Sequence, residues 1–159
     1  MGLELGIGFV FGLLASAIIM IVVMRRWMLV EVRSPLDVPA TLELLMERIR
    51  DAGWSSPGTW NLREAAAKKG VEFGRDVTNL SLCRAPYAKR VLDERPEMSA
   101  MMPCTFSVYT KEDGNTYVAK LNTGLMGKLM GGDIAKVMGG HVSREEERML
   151  SSLAESRTS

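Results

Sequence analysis

Residues 5 to 24 carry no charged side chain, and Ser16 is the only clearly polar one among them. A helix rises about 1.5 Å per residue, so a run of that length covers roughly 30 Å, the thickness of a bilayer hydrocarbon core. Lipid offers no partners to backbone N–H and C=O groups, so a single span there has to be helical. The expectation is a transmembrane anchor over 5–24. Two other readings fit less well. A secretory signal starts with basic residues and ends its shorter apolar run at a small-residue cleavage site; here the chain starts Met-Gly-Leu-Glu, and the run continues past Ala15-Ser16-Ala17. A buried helix of a soluble core is the other alternative.

Arg25 and Arg26 follow the run directly, then Trp27, whereas only Glu4 precedes it. Positive charge favours the cytoplasmic side and an aromatic ring favours the interface, so a single-pass protein of the cell membrane with its C-terminal domain in the cytoplasm is expected. Gly8, Gly12 and Ser16 recur every four residues, a spacing that lets two helices approach closely.

Residues 1–27 are therefore read as the anchor, 28–155 as one domain and 156–159 as a frayed tail. About 130 residues suffice for one core and not for two. The chain has 20 Lys plus Arg against 19 Asp plus Glu. With no basic face apparent, nucleic acid is not an expected partner. Two cysteines are too few for a disulfide scaffold, and in the cytoplasm they stay reduced.

Along the domain, Met28–Ser34 alternates like a strand. Pro39–Ala52 has Leu42, Leu45, Met46 and Ile49 on one helical face, with Gly53 placed to end the helix. Trp54-Ser-Ser-Pro-Gly-Thr-Trp60 reads as a loop from its turn residues, close to the membrane-proximal strand. Asn61 is suited to cap a helix over Leu62–Lys69. In the strand Asp76–Cys83, Thr78, Leu80 and Leu82 point one way and Val77, Asn79, Ser81 and Cys83 the other. Pro86 opens a helix that runs to Glu94. Cys104–Thr110 and Thr116–Asn122 form a hairpin around Asp113-Gly114, with Cys104, Phe106 and Val108 facing the core. Helical pieces at Leu125–Met130 and Ile134–Met138 follow, and Ser143-Arg-Glu-Glu146 has the spacing of a capping box for a last helix. Helices and strands do not alternate strictly, which predicts an α+β fold with a mixed or mainly antiparallel sheet covered by helices.

Gly70-Val-Glu-Phe, Val77–Cys83, Ala85-Pro-Tyr-Ala-Lys-Arg-Val-Leu, Met102-Pro-Cys-Thr-Phe-Ser-Val-Tyr and the Asp-Gly hairpin together resemble domain-of-unknown-function family 302. Cys83 and Cys104 match that family's two cysteine positions. The resemblance covers about Met28 to Leu153 and implies a small α+β domain with a curved sheet, working as a homodimer. Where the family often reads Cys-Asn-Pro, this chain reads Cys83-Arg-Ala-Pro, and Met102 stands in place of a leucine. The family carries no settled activity.

No catalytic motif stands out. The candidate thiols are Cys83 and Cys104. Cys83 lies beside Arg84, whose guanidinium would favour a thiolate suited to sulfur transfer or redox work; a small buried hydrophobe is the ordinary alternative. Arg84, Asn79, Ser81, Trp54 and Trp60 are the candidate cleft residues, with packing the simpler role for both tryptophans. Met98, Met101, Met102, Met126, Met130 and Met138, with His141, could hold copper(I) or haem, but the pattern is also that of ordinary core methionines, and no cofactor is expected. The Glu145-Glu146-Glu147 run reads as a solvated helix face. The resulting expectation is a membrane-tethered, non-enzymatic binding or accessory domain that meets a protein or small-molecule partner. The alternative is a thiol-dependent sulfur-transfer or redox protein using Cys83 with Cys104.

Overall fold

A computed structural model describes residues 2–155, with the side chains of 2–11, 23–25, 152 and 154–155 outside the description. The chain opens with α1 (Gly2–Trp27). Five strands follow: β1 (Leu29–Ser34), β2 (Ser55–Asn61), β3 (Val77–Cys83), β4 (Cys104–Thr110) and β5 (Thr116–Leu121). Between and after them come α2 (Val38–Asp51), α3 (Leu62–Ala67), α4 (Ala85–Glu94), α5 (Thr123–Met130), α6 (Gly132–Lys136) and α7 (Ser143–Glu155). A 3-10 turn spans Pro96–Met101 and a π-helical turn spans Val137–Val142.

The strands form one sheet in the order β1-β5-β4-β3-β2 with every pair antiparallel, the second of the two sheet types expected. The α+β class stands. Alternation decides which face is covered. Leu80, Leu82, Phe106, Val108 and Val118 are fully buried on one face, against Leu45 and Ile49 of α2, Val91 of α4 and Leu150 and Leu153 of α7. Thr78, Leu80 and Leu82 of β3 are buried and Val77, Asn79, Ser81 and Cys83 only partly so, in the expected alternation. Along α2 the buried stripe is Thr41, Leu45 and Ile49; Met46 falls outside it.

Two local expectations are corrected. The segment read as a loop from Trp54 to Trp60 is the edge strand β2, paired with β3 through an irregular register between Ser55 and Gly58. Pro57 is tolerated because an edge strand has one side with no ladder to supply. Ser143 does not cap a new helix: its backbone is already helical (φ −55, ψ −46), α7 runs on from the π-helical turn, and its hydroxyl donates to Glu147. The Gly131-Gly132 pair does act as a break, with φ of +70 and +59.

The sheet order also moves the tryptophans. β2 lies at the edge opposite β1, so Trp54 and Trp60 are not beside the strand that follows α1. Trp54 is buried and Trp60 exposed.

At the junction with α1, the Asn122 side-chain amide donates to the Trp27 carbonyl at 2.9 Å, and the Asn122 backbone N–H donates to the Met28 carbonyl at 2.8 Å. Within α1, Leu13, Leu14, Ile18, Ile19, Met20, Ile21 and Val22 are all more than half exposed. Among the described residues no helix is long and apolar enough to cross a membrane. The expected span 5–24, and Gly8 of the small-residue spacing, lie partly or wholly outside the described side chains.

Candidate functional site

Antiparallel pairing brings five strand ends together. β1 starts at Leu29, β5 ends at Leu121, β4 starts at Cys104, β3 ends at Cys83 and β2 starts at Ser55, all at the end of the sheet that α1 joins. Both cysteines therefore stand at this end. The hairpin tip around Asp113-Gly114 lies about 20 Å away, the length of a six-residue strand.

Here α7 lays its acidic run against the sheet, and two of the three glutamates point inward. Glu145 accepts from the Trp54 indole N–H at 2.5 Å, from the Tyr87 hydroxyl at 2.7 Å and from the Arg84 guanidinium at 2.6 and 2.7 Å. Arg84 also reaches the Tyr87 oxygen at 3.1 Å, and its guanidinium lies 4.8 Å from the Tyr87 ring centre. Burial alone would raise the Glu145 carboxyl, but the hydrogen bonds from Tyr87, Trp54 and Arg84 outweigh it and hold the group below the usual carboxylate range. The same bond to Glu145, followed by burial, pushes the Tyr87 hydroxyl up. His141 is exposed and stacks on Tyr87, with ring centres 5.6 Å apart.

One residue further along α7, Glu146 is buried. It accepts from Lys120 at 2.8 Å and from the Thr123 hydroxyl at 2.7 Å. Cys104 is the third neighbour: burial first, then the Glu146 charge and a hydrogen bond to it, push its thiol up to about 12. The expectation that this glutamate run is a solvated face is corrected. Only Glu147 is exposed, and the signal for the other two lay in partners far away in the chain.

The Arg84 guanidinium beside Cys83 is engaged by Glu145 and Tyr87. Cys83 and Cys104 do share a narrow apolar cleft of about 20 Å³, walled also by Trp54, Tyr87, Met102 and Met138. Asn79 and Ser81 lie on the outer sheet face and Trp60 is displayed across from Asn79, so these three do not reach the cleft. A second cavity, of about 70 Å³, brings Met101, Met126 and Met138 to Cys104 and Glu146. Met98 instead sits in the core. Among the described residues no group of three or more His, Cys, Asp or Glu is placed to hold a metal ion.

The model of a protein family described as domain of unknown function DUF302 matches residues 30–154. The chain belongs to the DUF302 family. The fold agrees with a crystal structure of an uncharacterized conserved DUF302 protein from Bacillus stearothermophilus, at a TM-score of 0.70 and 21% identity, covering 78% of this chain and 96% of that one. No curated protein matches the sequence. Cys83, Arg84, Tyr87, Trp54, Glu145 and Glu146 all fall inside the matched region, so the constellation lies within the DUF302 domain itself.

Proposed function

We propose that this DUF302 chain is a membrane-tethered, non-enzymatic binding domain whose ligand site faces the bilayer from the cytoplasmic side. The observation that carries the reading is the placement of the Arg84–Glu145 cluster and both cysteines at the strand ends that α1 joins. A tether entering at Trp27 holds that end of the domain toward the lipid. The apolar side chains of α1 support the tether: Leu13, Ile18, Ile19 and Met20 are 54 to 64% exposed and would be costly to leave in water, at about 25 cal/mol per Å². Arg25 and Arg26 after the run support a cytoplasmic domain.

The binding role is supported by how the cluster is satisfied. Arg84, Tyr87 and Trp54 all donate to one carboxylate, which fixes the three side chains in place. The cluster is a rigid polar wall between an apolar cleft and open surface, which suits recognition. A homodimer is part of the proposal; the small-residue spacing supports it, since the space beside Gly12 is open. Alkaline carbonate extraction of the full-length protein from cell membranes tests the tether. Retention in the membrane pellet is expected, and release into the supernatant would refute it.

One observation favours the thiol reading as a second choice: Cys83 and Cys104 line the same cleft. Alkylation of Cys83 at neutral pH, compared with free cysteine, decides it. A rate no faster than that of free cysteine removes this reading.

A further inference from the structure

Between the C-terminal turns of α2 and the first turns of α7 lies an open cavity of about 370 Å³, on the far side of Glu145 from the apolar cleft. Arg48 and Asp51 line it from α2, Arg148 from α7, and the Arg84–Glu145 pair forms its inner wall. Its volume falls in the range of small-ligand sites, about 300–1,000 Å³.

The charges in this cavity do not cancel. Three guanidinia face two carboxylates. Of these, Arg84 and Glu145 are bound to each other at 2.6 Å and present little net field. Arg48 meets Asp51 only at 3.8 Å, with side chains 43% and 62% exposed, a contact of small worth in water. Arg148 forms no ion pair among the described residues. Arg48 and Arg148 thus bring two planar forks, each suited to bidentate oxyanion recognition, to one concave site. The Arg84 end shows the chemistry already at work: its guanidinium, with the Tyr87 hydroxyl and the Trp54 indole, holds a carboxylate of the chain itself.

We infer that this cavity is an oxyanion site that takes the phosphate of a small phosphate ester or of an anionic lipid headgroup, clamped between Arg48 and Arg148. The inference deepens the binding-domain reading by naming a ligand class, but the clamp itself does not require the tether. Asp51 and Trp54 flank the same end of the sheet as the α1 junction, which is where a headgroup would stand. Glu145 keeps Arg84 in place and sets the anion outward, toward the Arg48 and Arg148 forks.

The test uses the full-length protein in neutral detergent micelles. Inorganic phosphate is titrated in, and separately the micelles are doped with phosphatidic acid or with phosphatidylcholine. The readout is the Trp54 indole N–H resonance, assigned by its loss in Trp54→Phe. The variant is R48Q/R148Q. The control is R63Q/R75Q, which removes one arginine of α3 and one just before β3, neither of them lining this cavity. Saturable binding of inorganic phosphate, weakened at least about tenfold in R48Q/R148Q and not in R63Q/R75Q, establishes a site for a free phosphate ester. A response to phosphatidic acid but not to inorganic phosphate, with the same variant dependence, establishes a headgroup site. No response to either probe, or equal responses in the two double variants, overturns the inference. Because the titration runs in micelles whether or not the chain is retained in cell membranes, failure of the tether leaves the phosphate result readable.

Discussion

Lys120 Nζ lies 2.8 Å from Glu146 Oε2, and the two side chains are only 3% and 2% exposed. The pair ties the end of β5 to α7, and Thr123 donates a further hydrogen bond to the same carboxylate. Removing one partner strands the other charge in a low-dielectric interior. Lys120→Met is therefore expected to cost about 3–5 kcal/mol in chemical denaturation, with Glu146→Gln in the same direction. A loss under about 1 kcal/mol would mean that the pair is not closed off from water.

Glu145 gives the domain a pH dependence whose sign follows from its lowered pKa. The unfolded carboxyl titrates near about 4.3. Its contribution to stability is fully present above that value and is lost as pH falls through the lower, folded pKa. Thermal unfolding of the wild type and Glu145→Gln, compared across pH, should show a gap equivalent to about 1–3 kcal/mol at neutral pH that closes in acid. A gap independent of pH would show that the carboxylate charge does not matter there.

Gly127 and Gly139 set the packing of α5 on the π-helical turn. A methyl group at Gly127 would come within 2.4 Å of the Gly139 backbone nitrogen and 2.8 Å of its Cα, and backbone cannot swing aside as a side-chain tip can. Gly127→Ala is expected to lower stability by about 1–3 kcal/mol despite alanine's better helix propensity. An alanine variant as stable as the wild type would place the two segments further apart.

How much of this was legible in the sequence varied with the range over which the cause acts. The alternation of Val77–Cys83 and Cys104–Thr110 carries its own burial, so both strands and their inward faces were readable. β2 was not, because Ser55, Pro57 and Gly58 are turn residues and only pairing with β3 makes them extended. The site was half readable. Cys83 and Cys104 stood out by type. Glu145 and Glu146 did not, since three glutamates on a helix look solvated until Arg84, 61 residues away, and Lys120, 26 residues away, are brought against them. The capping-box spacing at Ser143 misled for a related reason: the glycine-rich stretch before it looks like a break, yet it winds into a π-helical turn that packs on Gly127.

The two cysteines should behave differently toward alkylating reagents. Burial and the Glu146 carboxylate push the Cys104 thiol up to about 12, so its thiolate is scarce at every pH below that. Mass spectrometry after iodoacetamide treatment at neutral pH should find Cys104 protected in the folded protein and modified only after unfolding. Rapid folded-state modification of Cys104 would contradict its burial beside Glu146.

The central claim is that the Cys83 end of the sheet faces the bilayer, and one distance measurement tests it most directly. A fluorophore placed on Cys83 is compared with one on Glu112→Cys in a Cys83→Ser background, each in full-length protein reconstituted into vesicles with acceptor-labelled headgroups. Glu112 is 89% exposed near the hairpin tip, about 20 Å along the strands from Cys83. The account predicts strong energy transfer to the headgroups from Cys83 and much weaker transfer from position 112. Equal transfer from both positions, or stronger transfer from position 112, would contradict it.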